Sequence, residues 1–371
     1  MHALKIVLKV LAVIALGIVI AILVITVTSL RTRVCDSGAV TLPPASVSVP
    51  KELADIPGYV RREAVSYLTF PEWYIVYSAR EQASYLGAGK LPSGFPYLTS
   101  AAQFWCSYQK TTALAEQAGQ VEFLDKVMLV VIGTSFSAEY EFKSLYENTL
   151  GRITELFGAV PEDAYYSAFA ADYAKFLDTV PWYDYPFWPH FLELWGSPTS
   201  CPFNPRSCER RIIYSLEFIV KAGYGWAIGN ATHATYSPAD LEISLLVRAP
   251  LPASLASDAR IHVVKTFDDS TEVITVPRYQ EFTTLMQLFA DKNVEVIDIA
   301  GGSNILVSAL SPAGATYHLS GQQFSSMPLP TDPNTERILI VVPVNQLMEL
   351  IRGMEVGTGV ESIRLEHIYD Y

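Results

Sequence analysis

Val10 to Leu30 runs for 21 residues without a charge, and this stretch decides where the rest of the chain can work. As a helix it covers about 32 Å, close to the thickness of a bilayer's hydrocarbon core. Fourteen of its residues are Val, Ile or Leu, each favouring insertion by roughly 0.3–0.6 kcal/mol. A cleaved signal peptide would carry a shorter apolar region followed by a small-x-small cleavage site. Here Arg31-Thr32-Arg33 follows instead, and Arg33-Val34 before Cys35 lacks the small residues that lipidation favours. The expectation is an uncleaved, single-pass anchor that meets the lipid bilayer through residues 10–30. Lys5 and Lys9 on one side nearly balance Arg31 and Arg33 on the other, so flanking charge leans only weakly to a cytoplasmic N-terminus.

The roughly 340 residues beyond the anchor exceed what one core usually serves, so two domains are expected. A net charge of −12 argues against a nucleic-acid partner, because phosphate binding needs clustered Lys and Arg. It argues equally against adhesion to anionic lipid beyond the anchor. Of the four cysteines, Cys201 and Cys208 close a short loop stiffened by Pro202 and Pro205. A disulfide is the preferred reading of that pair, ahead of free thiols and of a metal site, which would space its cysteines more closely. Such a bridge would place the body in an oxidising compartment, periplasmic or extracellular. Cys35 with Cys106 is a second candidate pair.

After the anchor (1–33) comes an extended linker (34–57). Residues 58–237 then read as an all-α domain holding 36 of the chain's 44 aromatic residues and all six tryptophans. Within it the spacing predicts a short helix over Tyr59–Leu68 and a second over Pro71–Leu86, opened by a capping box at Thr69 and Glu72. Ser100 caps a third, and Glu122–Phe157 reads as one long helix or two joined near Gly133. Pro181–Gly196 is a proline-broken aromatic segment. From residue 238 to 371 the period becomes that of strands, with helices over Tyr279–Lys292 and Asn345–Met354. The order suits an α+β, ferredoxin-like split βαβ unit with an extra hairpin. Ile338–Val342, apolar on both alternating faces, suits a central strand.

The nucleophile elbow, the zincin motif, the P-loop and the EF-hand loop are all missing, and no metal or cofactor is expected. Catalysis is left undecided. His190 and Glu193, three apart, supply too few ligands for a di-iron bundle. His367 reads as a core residue on a strand. Glu139, Lys143 and Glu147 at four-residue spacing usually form a solvated ion-pair ladder, and a polar groove facing Arg152 or Arg210 is the alternative. Aromatic rows, Trp73, Tyr74 and Tyr77 on one helix with Trp105 and Tyr108 on another, must meet a core, a ligand or a partner. These rings, with Glu139 and the partly exposed Trp182 and Trp188, are the candidate binding residues.

The reading is therefore a membrane-anchored exported binding or assembly module, with a membrane protein as a candidate partner. The rival is an enzyme acting on a lipid-linked or apolar small molecule, with Glu72 or Glu139 as base.

Overall fold

The computed structural model describes residues 41–43, 51–119, 121–196, 204–232, 241–267, 270–315, 319–355 and 363–371. The apolar run 10–30, Cys35 and Cys201 lie outside the described residues, as does most of the linker. Among the described residues no helix is long and apolar enough to cross a membrane. No cysteine is free among them: Cys106 and Cys208 both stand in disulfides.

The chain is α+β, with a helical part and two small antiparallel sheets. The helices are α1 (Lys51–Ala54), α2 (Ala64–Gly87), α3 (Tyr97–Ala118), α4 (Phe123–Tyr146), α5 (Arg152–Glu155), α6 (Pro161–Leu177), α7 (Phe187–Gly196) and α8 (Pro205–Thr232). Helix α2 departs from expectation, because it runs unbroken through Pro71. The expected capping box is absent: the Thr69 hydroxyl donates to the Val65 carbonyl one turn back, at 2.8 Å. Buried Tyr67, Phe70, Tyr74, Tyr77 and Glu81 then follow the helical period along one face. Ser100 likewise bonds back to Pro96, inside a helix that starts at Tyr97. The long helix is interrupted at a π segment, Glu147–Gly151, and passes straight through Gly133. A Cβ at Gly133 would collide with the Phe104 ring, so glycine is what lets α3 and α4 approach. The aromatic segment 181–196 contains a regular helix, α7, because Pro189 falls in its first turn where no amide is needed.

The strand region holds two sheets where one unit and a hairpin were expected. Strands β1 (Glu242–Arg248), β2 (His262–Phe267), β3 (Thr271–Pro277) and β4 (Val296–Ile299) pair in the order β2-β3-β1-β4. Strands β5 (Asn304–Pro312), β6 (Gln322–Leu329), β7 (Asp332–Pro343) and β8 (Arg364–Tyr369) pair as β6-β7-β5-β8. Each sheet thus repeats one scheme: three strands, a helix, a fourth strand, every pairing antiparallel. The short α9 (Ala253–Ala256) lies in the first, and α10 (Tyr279–Asp291) and α11 (Leu347–Glu355) precede the two closing strands.

Strict alternation builds two cores on the second sheet. Ile305, Val307 and Ala309 of β5, with Ile338, Ile340 and Val342 of β7, join α10, α11 and the first sheet's Ile243, Leu245 and Val247. The intervening Leu306, Leu339 and Val341 turn the other way and meet the rings of α2, α3 and α4. The second sheet is therefore buried on both faces, as the unbroken apolar run of β7 demands. Ser66 stitches it to α2, its hydroxyl donating to the Tyr369 carbonyl at 2.6 Å and accepting the Leu306 amide at 2.9 Å.

Candidate functional site

The aromatic rows of α2 and α3 converge on the second sheet. Trp73, Tyr74, Tyr77 and Trp105 are all buried in that core, and Tyr108 packs at its margin, its ring 5.8 Å from Trp105. Three of these rings also bond protein groups through their polar tips. Tyr74 donates to Gln103 Oε1 at 2.8 Å and Trp105 Nε1 to Ser137 Oγ at 2.8 Å. Tyr77 meets the Tyr369 hydroxyl, which bonds Ser308 at 2.8 Å. Trp73 lies against His367, ring centroids 3.8 Å apart, and burial drives that imidazole's pKa well below its ordinary value. The packing uses all five rings on their apolar faces, and Tyr74, Tyr77 and Trp105 at their polar tips too.

Between α2 and the sheet sits Arg337, of which only 2% is exposed. It grips Glu366 with two bonds, of 2.7 and 2.9 Å, and reaches Glu81 at 3.1 Å. Its guanidinium also lies 4.4 Å from the Tyr77 ring centre. One cation thus serves two carboxylates, and burial holds the Glu81 carboxyl above its ordinary range despite Arg337.

Glu139 and Lys143 do not belong to a solvated ladder. With Glu217 and Lys221 of α8 they close a ring of four alternating charges: Lys143 to Glu139 at 2.8 Å and to Glu217 at 2.8 Å, Lys221 to Glu139 at 2.9 Å and to Glu217 at 3.0 Å. Glu147 instead pairs with fully buried Arg210 at 2.8 Å. Four-residue spacing offers Glu139 partners on its own helix, whereas the other half of the ring comes from α8, more than seventy residues on. Glu217 and Lys221 carry the same four-residue spacing, the one signal that could have named them.

The two carboxylates considered as bases are set apart by their surroundings. Burial raises Glu139, but Lys143 and Lys221 more than offset it and hold its carboxyl at about 2. Glu72 has no such partner: burial pushes it up to about 7, with Arg278 pulling down and Asp125 adding to the rise. It lines a crevice of about 70 Å³ with Leu68, Asp125 and Met128. A second crevice, of about 210 Å³, lies at Arg248, Pro250 and Glu295. Both fall short of the roughly 300 Å³ at which ligand pockets begin, and no candidate ring lines either.

His190 is occupied by tyrosines, with the Tyr165 hydroxyl 3.1 Å from Nδ1 and that of Tyr185 2.8 Å from Nε2. Among the described residues no cluster of His, Cys, Asp or Glu could hold a metal ion. Trp182 stacks on Tyr224 at 5.2 Å, whereas Trp188 stands half exposed on α7. Trp195 and Trp226, which sequence reasoning passed over, are exposed as well. Comparison with family models, with curated proteins and with solved structures finds no match to this chain.

Proposed function

We propose that the chain is a single-pass, membrane-anchored protein whose exported body, residues 58–371, is a binding or assembly module rather than a catalyst. The observation that carries this reading is what the body offers outward. The candidate rings of α2 and α3 are consumed by packing, the crevices at Glu72 and at Arg248 are small, and large apolar side chains, Trp188 among them, are instead exposed along α4, α7 and α8. Surfaces of that kind serve partners better than small substrates. The uncharged run 10–30 supplies the anchor. The disulfide state of Cys106 and Cys208 suits an oxidising compartment, hence a cytoplasmic N-terminus and a periplasmic or extracellular body. In this reading Cys201 pairs with Cys208, and residues 238–371 form a scaffold of two shortened split βαβ units.

Thiol labelling of intact cells with and without reductant tests it. The body's cysteines are expected to label only after reduction. Labelling without reduction would remove the export argument, and a detergent-solubilised full chain that co-purifies with no protein and binds no bilayer surface would remove the module. One observation favours the enzymatic rival: Glu72, with a pKa near that of a working base, opens to a crevice. Turnover of an apolar or lipid-linked compound that Glu72→Gln abolishes would establish it.

A further inference from the structure

The geometry points to a bilayer-facing side of the body, built from α4, α7 and α8, that lies on the lipid surface; this rests on the anchored reading above. On α8 the exposed residues Ile212, Leu216, Ile219 and Val220 lie at three- and four-residue spacing, and Trp226, 74% exposed, follows on the same face about two turns beyond Ile219. From Ile212 to Thr232 the only charged residues are Glu217 and Lys221, and both turn inward to the four-charge ring. On α4 Val127, Val131, Phe142 and Leu145 form a second exposed row, one face round the helix from Glu139 and Lys143. Because the ring ties α4 to α8 at two levels, the rows border one seam. Helix α7 extends this side: Trp188, Leu192 and Trp195 are exposed at helical spacing, and Trp195 Nε1 donates to Ser215 Oγ of α8 at 2.8 Å.

Three features name lipid as the occupant. The ring is net neutral, so the seam between α4 and α8 carries only compensated charge, and the exposed Glu193 of α7 accepts from the Tyr165 hydroxyl at 3.2 Å, off the row of Trp188, Leu192 and Trp195 by about a quarter turn. Three of the six tryptophans of the chain stand exposed here, and Trp is favoured at membrane interfaces, where its ring is buried and its N–H stays wet. The third is reach. The chain enters the described body where the Leu42 amide bonds Gln117 near the end of α3, just before Phe123, which is 78% exposed at the head of α4. The ten residues 31–40 that separate Leu42's neighbour Thr41 from the apolar run can extend at most about 36 Å. Helix α8, at about 42 Å long, would lie in the interface plane as amphipathic helices do. With a net charge of −12 the body gains nothing from anionic headgroups, so the contact is apolar and indifferent to lipid charge.

The test uses the full chain reconstituted in phosphatidylcholine vesicles whose acyl chains carry bromine, which quenches tryptophan on contact. The run 10–30 contains no tryptophan, so the anchor is silent and only the body reports. The expected result is a partial loss of emission in brominated vesicles, the same when half the lipid is phosphatidylglycerol. That loss shrinks in Trp226→Phe and vanishes when Trp188 and Trp195 are also replaced by Phe. If the triple variant misfolds, the single Trp226→Phe still reads the effect. Emission untouched by bromine in chains that resist alkaline carbonate extraction overturns this inference while leaving the anchor standing. Carbonate release with quenching intact overturns the anchor and keeps the lipid face. Emission untouched by bromine, with the chain cross-linking to a second copy through Leu216→Cys, overturns it in favour of a protein interface.

Discussion

The hydroxyls of Tyr77 and Tyr369 stand 2.5 Å apart, joining the middle of helix α2 to the last strand of the chain, 292 residues away. Both rings are buried, and Tyr369 also shares a 2.8 Å bond with Ser308. Removing either hydroxyl leaves its partner short of a hydrogen bond in a place water does not reach. Tyr77→Phe and Tyr369→Phe are each expected to cost about 1–3 kcal/mol. The double variant should cost clearly less than the sum, because the two share one network. Denaturant unfolding of the full chain in detergent checks this, and additive losses would show the hydroxyls to be uncoupled.

Arg337 should be the most sensitive position in the sheet. Replacing it with Met leaves Glu81 and Glu366 buried without their cation, an expected loss of about 3–5 kcal/mol. The combined change Arg337→Met, Glu366→Gln, Glu81→Gln should recover part of that loss. Thermal unfolding of the two variants side by side is the measurement.

The four-charge ring predicts an acid limb. The Glu139 carboxyl is depressed from its ordinary 4.5 to about 2, and that of Glu217 is lowered too. A depressed carboxylate stabilises the fold above its unfolded pKa and loses that contribution as pH falls through the folded one. Stability should therefore drop between about pH 4.5 and 2. Glu139→Gln should be less stable at neutral pH and show a flatter acid limb in unfolding followed by circular dichroism.

Glu72 has the opposite sign. Its carboxyl is raised from 4.5 to about 7, so the folded chain binds the proton more tightly than the unfolded one. Its contribution is intact below about pH 4.5 and is lost as pH rises to about 7. Glu72→Gln should match the parent in acid and exceed it in melting temperature at pH 8. A variant less stable at both values would mean that the carboxylate makes a contact the crevice does not reveal.

Much of the helical part was legible because its apolar spacing is regular. Trp73 and Tyr77, four apart with Tyr74 between them, read as a helix face, which α2 carries. What the spacing could not say is which surface receives that face. The receiving strands β5 and β7 lie more than two hundred residues on, and a ring bound for a core looks in sequence like one bound for a ligand. Pro71 misled because proline is read as a helix opener, whereas the helix beginning at Ala64 absorbs it. Strand β6 escaped detection since Gln322, Gln323, Ser325 and Ser326 carry too little apolar alternation to mark an edge strand. The doubling of the sheet was hidden for a related reason: topology repeats without the residues repeating.

Ser66 has a mechanical consequence. One hydroxyl clamps α2 to neighbouring strands β5 and β8, and the sheet's second face is covered by α10 and α11, so peeling α2 from the sheet would strip a buried amide and a buried carbonyl of their partner at the same time.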